Sequence, residues 1–180
     1  MGETIGKILF SEEQLRNRAK ELGKQITEDY AGQELVVVGT LKGSCIWMAD
    51  LLKEIEMPVT IDFIQASSYG AGTVSSGLVS FKKDIEANIY NKHVLIVEDI
   101  VDTGNTLSAI YENLKDRNAA SVEICSMLDK PSRRVADVQA KYIGFEIDNL
   151  FVIGYGLDYN QKYRNLPYIS YIENVEEIQD

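Results

Sequence analysis

Three carboxylates and a small, hydroxyl-rich turn stand close together in this chain: Glu98, Asp99 and Asp102, then Thr103-Gly104-Asn105-Thr106. Before them, residues 94–97 read Val-Leu-Ile-Val, an apolar and largely β-branched run of the kind that makes a strand buried on both faces. After them, Leu107, Ile110, Tyr111 and Leu114 recur at the spacing of one apolar helical face. The expected unit is strand, acidic loop, helix. Backbone amides at such a helix start lack intrahelical acceptors and carry the positive end of the dipole, and Gly104 lets the chain approach an anion closely. Thr103 and Thr106 add hydroxyl donors. The carboxylates upstream would repel a bare polyanion, so they suit the hydroxyls of a sugar, or a Mg²⁺ carrying the ligand's charge. The chemistry this junction points to is the binding of a phosphorylated sugar.

A second candidate is Lys42, in Leu41-Lys42-Gly43-Ser44 between an apolar run and an apolar helix. An amine beside the free amides of Gly43 and Ser44 can hold a diphosphate, although the stretch lacks the Gly-Lys-Ser/Thr ending of a nucleotide-triphosphatase loop. Residues 67–77 are small, polar and glycine-rich, which composition alone reads as a connection between strands. Lys130 and Arg164, taken singly, are ordinary surface cations, and Phe151 is equally a core aromatic. His93 is the only histidine and precedes a strand, which leaves Ser-His-Asp chemistry and a His/Cys zinc site without support.

The elements that must position these groups are legible as an alternation. Ser11-Glu12-Glu13-Gln14 is a capping box, and Leu15, Ala19, Leu22 and Ile26 continue it as one apolar stripe. Residues 35–39 form a buried strand, 45–55 a helix ended by Pro58, 59–64 a strand, 78–81 a short strand and 122–128 a further strand. Alternating strands and helices predict a parallel α/β sheet, with ligands collecting beyond the carboxyl ends of its strands. Residues 142–146 and 151–155 are strand-like and are expected to cover the base side of the site, as part of one domain spanning 1–180 with its core at about 30–130.

Composition bounds the partners. The net charge of −10 argues against a general nucleic-acid or anionic-membrane surface, so small molecules and other protein subunits are expected. The N-terminus lacks a basic and apolar leader and no apolar run approaches a membrane span. Cys45 and Cys125 sit in apolar segments and read as buried free thiols of a cytoplasmic protein.

The string from Glu98 to Thr106, two acids, two aliphatics and Asp-Thr-Gly-x-Thr on a strand-to-helix turn, resembles the phosphoribosyl-pyrophosphate signature of the type I phosphoribosyltransferases. Lys130 in Asp-Lys-Pro, Phe151-Val152, Leu157-Asp158-Tyr159-Asn160 and Arg164 resemble the 6-oxopurine branch of that family, the hypoxanthine-guanine phosphoribosyltransferases, and the likeness runs from about Ile8 to Ile172. The resemblance implies a central, mainly parallel twisted sheet flanked by helices, with a small hood, built from the N-terminal segment and about 131–180, over the carboxyl ends of the strands. It implies Mg²⁺-dependent phosphoribosyl transfer from phosphoribosyl pyrophosphate to N9 of hypoxanthine or guanine. Asp102 would be the general base, Glu98 and Asp99 the ribose and metal acids with Asp158 as a further metal ligand, and residues 103–106 the 5′-phosphate cradle. Lys42, Gly43 and Arg164 would hold pyrophosphate, with a cis peptide between Leu41 and Lys42. Ser68 and Tyr69 would close as a lid. Lys130, Phe151, Val152, Leu157 and Asp158 would take the purine, Lys130 at O6. Relatives form homodimers or homotetramers. Asn105 departs from members that carry lysine there. A transferase of another base, or a regulator that senses phosphoribosyl pyrophosphate without catalysis, are the alternatives.

Overall fold

The computed structural model describes residues 4–68 and 79–173. In chain order the elements are β1 (Thr4–Ile5), α1 (Glu12–Asp29), β2 (Leu35–Thr40), α2 (Cys45–Lys53), β3 (Val59–Ser68), β4 (Val79–Lys83), β5 (His93–Val101), α3 (Asn105–Lys115), β6 (Ser121–Asp129), β7 (Tyr142–Glu146), β8 (Val152–Ile153) and β9 (Ser170–Glu173). Strands β4-β3-β2-β5-β6-β7 make a six-stranded sheet, parallel except for the edge pair β3–β4, and β1-β9-β8 make a small antiparallel sheet. A mainly parallel sheet flanked by helices is the expected architecture, and the small sheet takes the place of the expected hood.

The apolar runs explain the central strands. Every residue of β2 is buried, and its side chains alternate between two apolar layers. Leu35 and Val37 of β2, with Leu95 and Val97 of β5, pack on one face with Leu15 and Leu22 of α1 and Trp47 and Leu51 of α2. Val36, Val38, Val94 and Ile96 pack on the other, with Leu107, Ile110 and Leu114 of α3. Side chains of this kind contribute about 1.5–3 kcal/mol each when fully buried. The capping box closes as read: Gln14 N–H donates to Ser11 Oγ at 3.3 Å and Ser11 N–H to Gln14 Oε1 at 2.9 Å.

That two-faced packing positions the site. From β2 the chain crosses through α2 to β3 on one side, and from β5 it crosses through α3 to β6 on the other. The boundary between β2 and β5 is therefore the topological switch point, where loops diverge and leave a crevice beyond the strand ends. The loop containing Lys42 and the turn containing Asp102 are the two that part there.

Four expectations need correction. β5 continues to Val101, so Glu98 and Asp99 belong to the strand and not to a loop. Pairing with β2 stops at Val97, whereas β6 goes on pairing with Glu98, Ile100 and Val101, and that one-sided ladder keeps the chain extended. Residues 142–146 are not part of the hood: as β7 they add to the central sheet beside β6, with Tyr142 buried and donating to Asp29 Oδ2 at 2.6 Å. Cys45 is exposed at the first turn of α2, while Cys125 is buried. The helix α2 ends at Lys53, ahead of Pro58, which instead precedes β3. No helix among the described residues is long and apolar enough to cross a membrane.

Candidate active site

Where β2 and β5 separate, three stretches of chain touch. Thr40, the last residue of β2, donates from Oγ1 to Glu98 Oε1 at 2.5 Å and lies 3.2 Å from Val97 O. Asp99 N–H also reaches Glu98 Oε1, at 3.1 Å, and Ile100 N–H reaches Asp99 Oδ1 at 2.9 Å. Burial, and then the neighbouring Asp99 carboxylate, push the Glu98 carboxyl well above the ordinary glutamate range. Asp99 lies against Gly43, where a Cβ would displace its carboxylate. Gly156, at φ +104°, packs its Cα on the carbonyl of Gly43 and closes the triangle.

Lys42 is exposed and donates from Nζ to Gln161 Oε1 at 3.1 Å, and the Leu41–Lys42 peptide is cis. Arg164 and Asp158, read separately as a pyrophosphate cation and a metal acid, are an ion pair at 2.6 Å, with Arg164 also donating to Gly156 O at 2.6 Å. Asp158 accepts from Gln161 N–H as well, at 2.8 Å. Leu157 packs in the main apolar core, 7% exposed.

The turn from Asp102 to Thr106 is shaped as a cradle. Gly104 caps α3 at φ +84°, a conformation that favours glycine, and a Cβ there would strike Val138. Within the turn, Ser108 is the first amide to find a backbone acceptor, Gly104 O at 2.8 Å, so the preceding amides face a recess of about 150 Å³ lined by Glu98 and residues 100–107. A strap from the segment after β6 holds the turn: Val135 and Ala136 N–H donate to Thr103 O at 2.9 and 3.0 Å, and Arg134 Nε to Asp102 O at 3.2 Å. Arg133 Nε donates to Asp102 Oδ1 at 3.0 Å, and Lys130 Nζ lies 3.9 Å from Asp102 Oδ2 while being only 2% exposed. Sequence reasoning missed Arg133, Arg134 and Thr40. The one available signal was an adjacent pair of arginines just after Lys130-Pro131 in a strongly acidic chain.

On the base side, Phe151 meets Tyr159 edge to face, with centroids 5.5 Å apart. Val152 pairs opposite Tyr171, and Ile172 N–H donates to Phe151 O at 3.0 Å. In that antiparallel pattern the Val152 amide and carbonyl point away from β9, off the outer edge of β8. Ser68 ends β3, and Tyr69, read as part of a lid, lies outside the described residues. Among the described residues no group of three or more His, Cys, Asp or Glu side chains is arranged to hold a metal. A larger recess of about 440 Å³ beside Leu9, Phe10 and Leu150 carries Glu146 and Asp148 and no basic side chain in its lining, which suits a phosphate poorly.

A switch-point crevice with an amine loop after one strand and an acid-then-amide turn after the next suits a phosphorylated sugar. The family model for the phosphoribosyl transferase domain matches residues 7–160. The chain is 52% identical over 170 residues to the hypoxanthine-guanine phosphoribosyltransferase of Staphylococcus aureus, covering 94% of this chain and 95% of that one, and 53% identical to that of Staphylococcus epidermidis over the same share. Its fold matches the crystal structure of a hypoxanthine phosphoribosyltransferase from S. aureus with a TM-score of 0.91 at 51% identity, covering 94% and 92% of the two chains. A hypoxanthine-guanine phosphoribosyltransferase from Bacillus anthracis matches with a TM-score of 0.89 at 47% identity, covering 93% and 99%. The chain belongs to the phosphoribosyl transferase family, in its hypoxanthine-guanine branch.

Proposed function

We propose that this chain transfers the 5-phosphoribosyl group of phosphoribosyl pyrophosphate to N9 of hypoxanthine or guanine, giving the nucleotide and pyrophosphate. The observation that carries the reading is the buried Lys130 ammonium 3.9 Å from the Asp102 carboxylate. O6 and N7 lie on one edge of a 6-oxopurine, so a donor for O6 beside an acceptor for the N7 proton is the pair such a base requires. An adenine amino group offers no acceptor to that lysine.

In the reaction the N9–C1′ bond forms as the bond from C1′ to the pyrophosphate oxygen breaks, the electron pair leaving with pyrophosphate. Asp102 takes the N7 proton, a role worth about 10²- to 10⁴-fold for a positioned base. The amides and hydroxyls of residues 103–106 hold the 5′-phosphate, with Asn105 contributing its amide at the helix start. Glu98 and Asp99 accept from the ribose hydroxyls. Lys42, with the Gly43 amide, takes the leaving pyrophosphate. Arg164 joins it only by giving up part of its pairing with Asp158. Phe151 offers a face for the base, and the outward Val152 amide and carbonyl offer its polar edge a partner.

A Mg²⁺ fits the donor set: two crowded carboxylates, one of them disfavoured as an anion, gain from a divalent cation between them and the substrate. When bound, it supplies charge neutralisation for the diphosphate. Asp158, neutralised by Arg164, is a poor ligand in this arrangement. Action in the cytoplasm as a homodimer or homotetramer belongs to the same reading, and light scattering measures the assembly.

The test is purine-dependent pyrophosphate release from phosphoribosyl pyrophosphate, with and without Mg²⁺. Release with hypoxanthine and guanine but not adenine is expected. Release with adenine alone, or phosphoribosyl pyrophosphate binding without any release, would favour the two alternatives in turn.

A further inference from the structure

We propose that Thr40 is a positioning residue that fixes the Glu98 carboxylate toward the ribose and ties it to the pyrophosphate loop. The proposal deepens the transfer reading given above and rests on it.

Thr40 is 7% exposed and stands where β2 stops pairing with β5, the last paired residues being Gly39 and Val97. Beyond that point its side chain continues the connection between the two strands. The hydroxyl has one proton and two acceptors in reach, Val97 O at 3.2 Å and Glu98 Oε1 at 2.5 Å. The closer oxygen, on Glu98, takes it, the 2.5 Å contact lying within the ordinary O–H···O range and the 3.2 Å contact beyond it.

The donor is itself held rigidly. Thr40 O accepts from Ser44 Oγ at 2.7 Å and Ser44 N–H at 3.3 Å, and the next amide, Leu41, donates to Ile64 O at 2.8 Å. Ser44 is fully buried. A glutamate side chain has several freely turning bonds, and a donor delivered from fixed backbone selects one orientation among them. Both donors to Glu98, the Thr40 hydroxyl and the Asp99 amide at 3.1 Å, engage Oε1, so Oε2 is the oxygen the proposal assigns to a ribose hydroxyl. Thr40 is also joined directly to Leu41-Lys42-Gly43, and Gly43 abuts Asp99. One residue thus sets the ribose acids and the diphosphate loop in register across the crevice.

Initial rates of the full chain at saturating Mg²⁺ test this, comparing the wild type with Thr40→Val, Thr40→Ser, Glu98→Ala and the double variant Thr40→Val/Glu98→Ala. Thr40→Val should lose about 10-fold in kcat/KM for phosphoribosyl pyrophosphate, with KM for hypoxanthine within about 2-fold of wild type. Thr40→Ser should restore most of the loss. In the Glu98→Ala background, Thr40→Val should change nothing further, because the two act as a unit. Thr40→Ala removes the same hydroxyl with less bulk and carries the test should the valine variant not fold. A wild type that releases no pyrophosphate with any purine overturns the transfer reading. An active wild type overturns the role of Thr40 if the hydroxyl-free variants match it, if their loss is equally large without Glu98, or if serine fails to rescue.

Discussion

Two acids on the same sheet are treated in opposite ways. Asp62, on β3, is largely buried and surrounded by donors: Phe63 N–H at 2.7 Å, Glu86 and Ala87 N–H at 2.6 and 2.8 Å, and Lys83 Nζ at 3.3 Å. Burial works to raise its pKa, yet the Ala87, Phe63 and Glu86 amides and Lys83 hold it below the usual carboxylate range. Glu98, two strands away on β5, shares its surroundings with a second carboxylate and has a hydroxyl and one amide as donors, and its pKa is raised. An acid that serves the fold is given its partners by the fold. The switch-point acid is left short of them, and in the proposed transfer a sugar hydroxyl or a divalent cation would supply the remainder.

That contrast is open to breaking in order of effect. Asp102→Asn, in the crevice, should lower kcat per folded molecule by about 10²- to 10⁴-fold while the protein still binds its product nucleotide. Single-turnover rates and product titration measure this, and unchanged turnover would remove Asp102 from proton transfer. Asp62→Ala should do the reverse. It strands three amides and a lysine and should cost about 3 kcal/mol in urea unfolding, with kcat per folded molecule unchanged.

The smallest effect is on Glu98 and has the sharpest sign. A carboxyl whose pKa is raised on folding keeps its full stability below its unfolded value, 4.5, and loses stability as pH rises beyond it. In chelator, Glu98→Gln should therefore equal the wild type in stability near pH 4 and exceed it at pH 7, by on the order of 1 kcal/mol. Asp62 runs the opposite way, its contribution being present above about 3.8 and fading as the pH falls. Parallel pH-stability curves for Glu98→Gln and Asp62→Asn would erase the distinction between the two acids.

Much of this was legible in the residues. Apolar runs named the central strands, periodicity named the helices, and the acid-then-hydroxyl stretch named the turn that opens α3, because each is a local pattern with a local cause. What escaped depended on partners far along the chain. β5 extends through Glu98 and Asp99 because β6 runs alongside it, which no property of residues 98–101 announces. β7 joins the central sheet by pairing with β6, and its Tyr142 finds Asp29 at the end of α1, 113 residues away. Arg133 and Arg134 serve the turn at Asp102 from some thirty residues away. Asp158 and Arg164 have opposite charges and a short spacing, yet it is the tight turn between them, with Tyr159 paired to Lys162 and with Asn160, Gln161 and Tyr163 at positive φ, that brings them into a pair.

The central claim is that the turn after β5 receives a ribose 5-phosphate at the switch point. Backbone amide chemical shifts of the ¹⁵N-labelled protein, titrated with inosine 5′-monophosphate, test it most directly. The account predicts the largest saturable shifts at Thr103, Gly104, Asn105 and Thr106, accompanied by Val152. Saturable binding that leaves those amides unmoved and shifts residues around Leu9, Phe10 and Leu150 instead would contradict it.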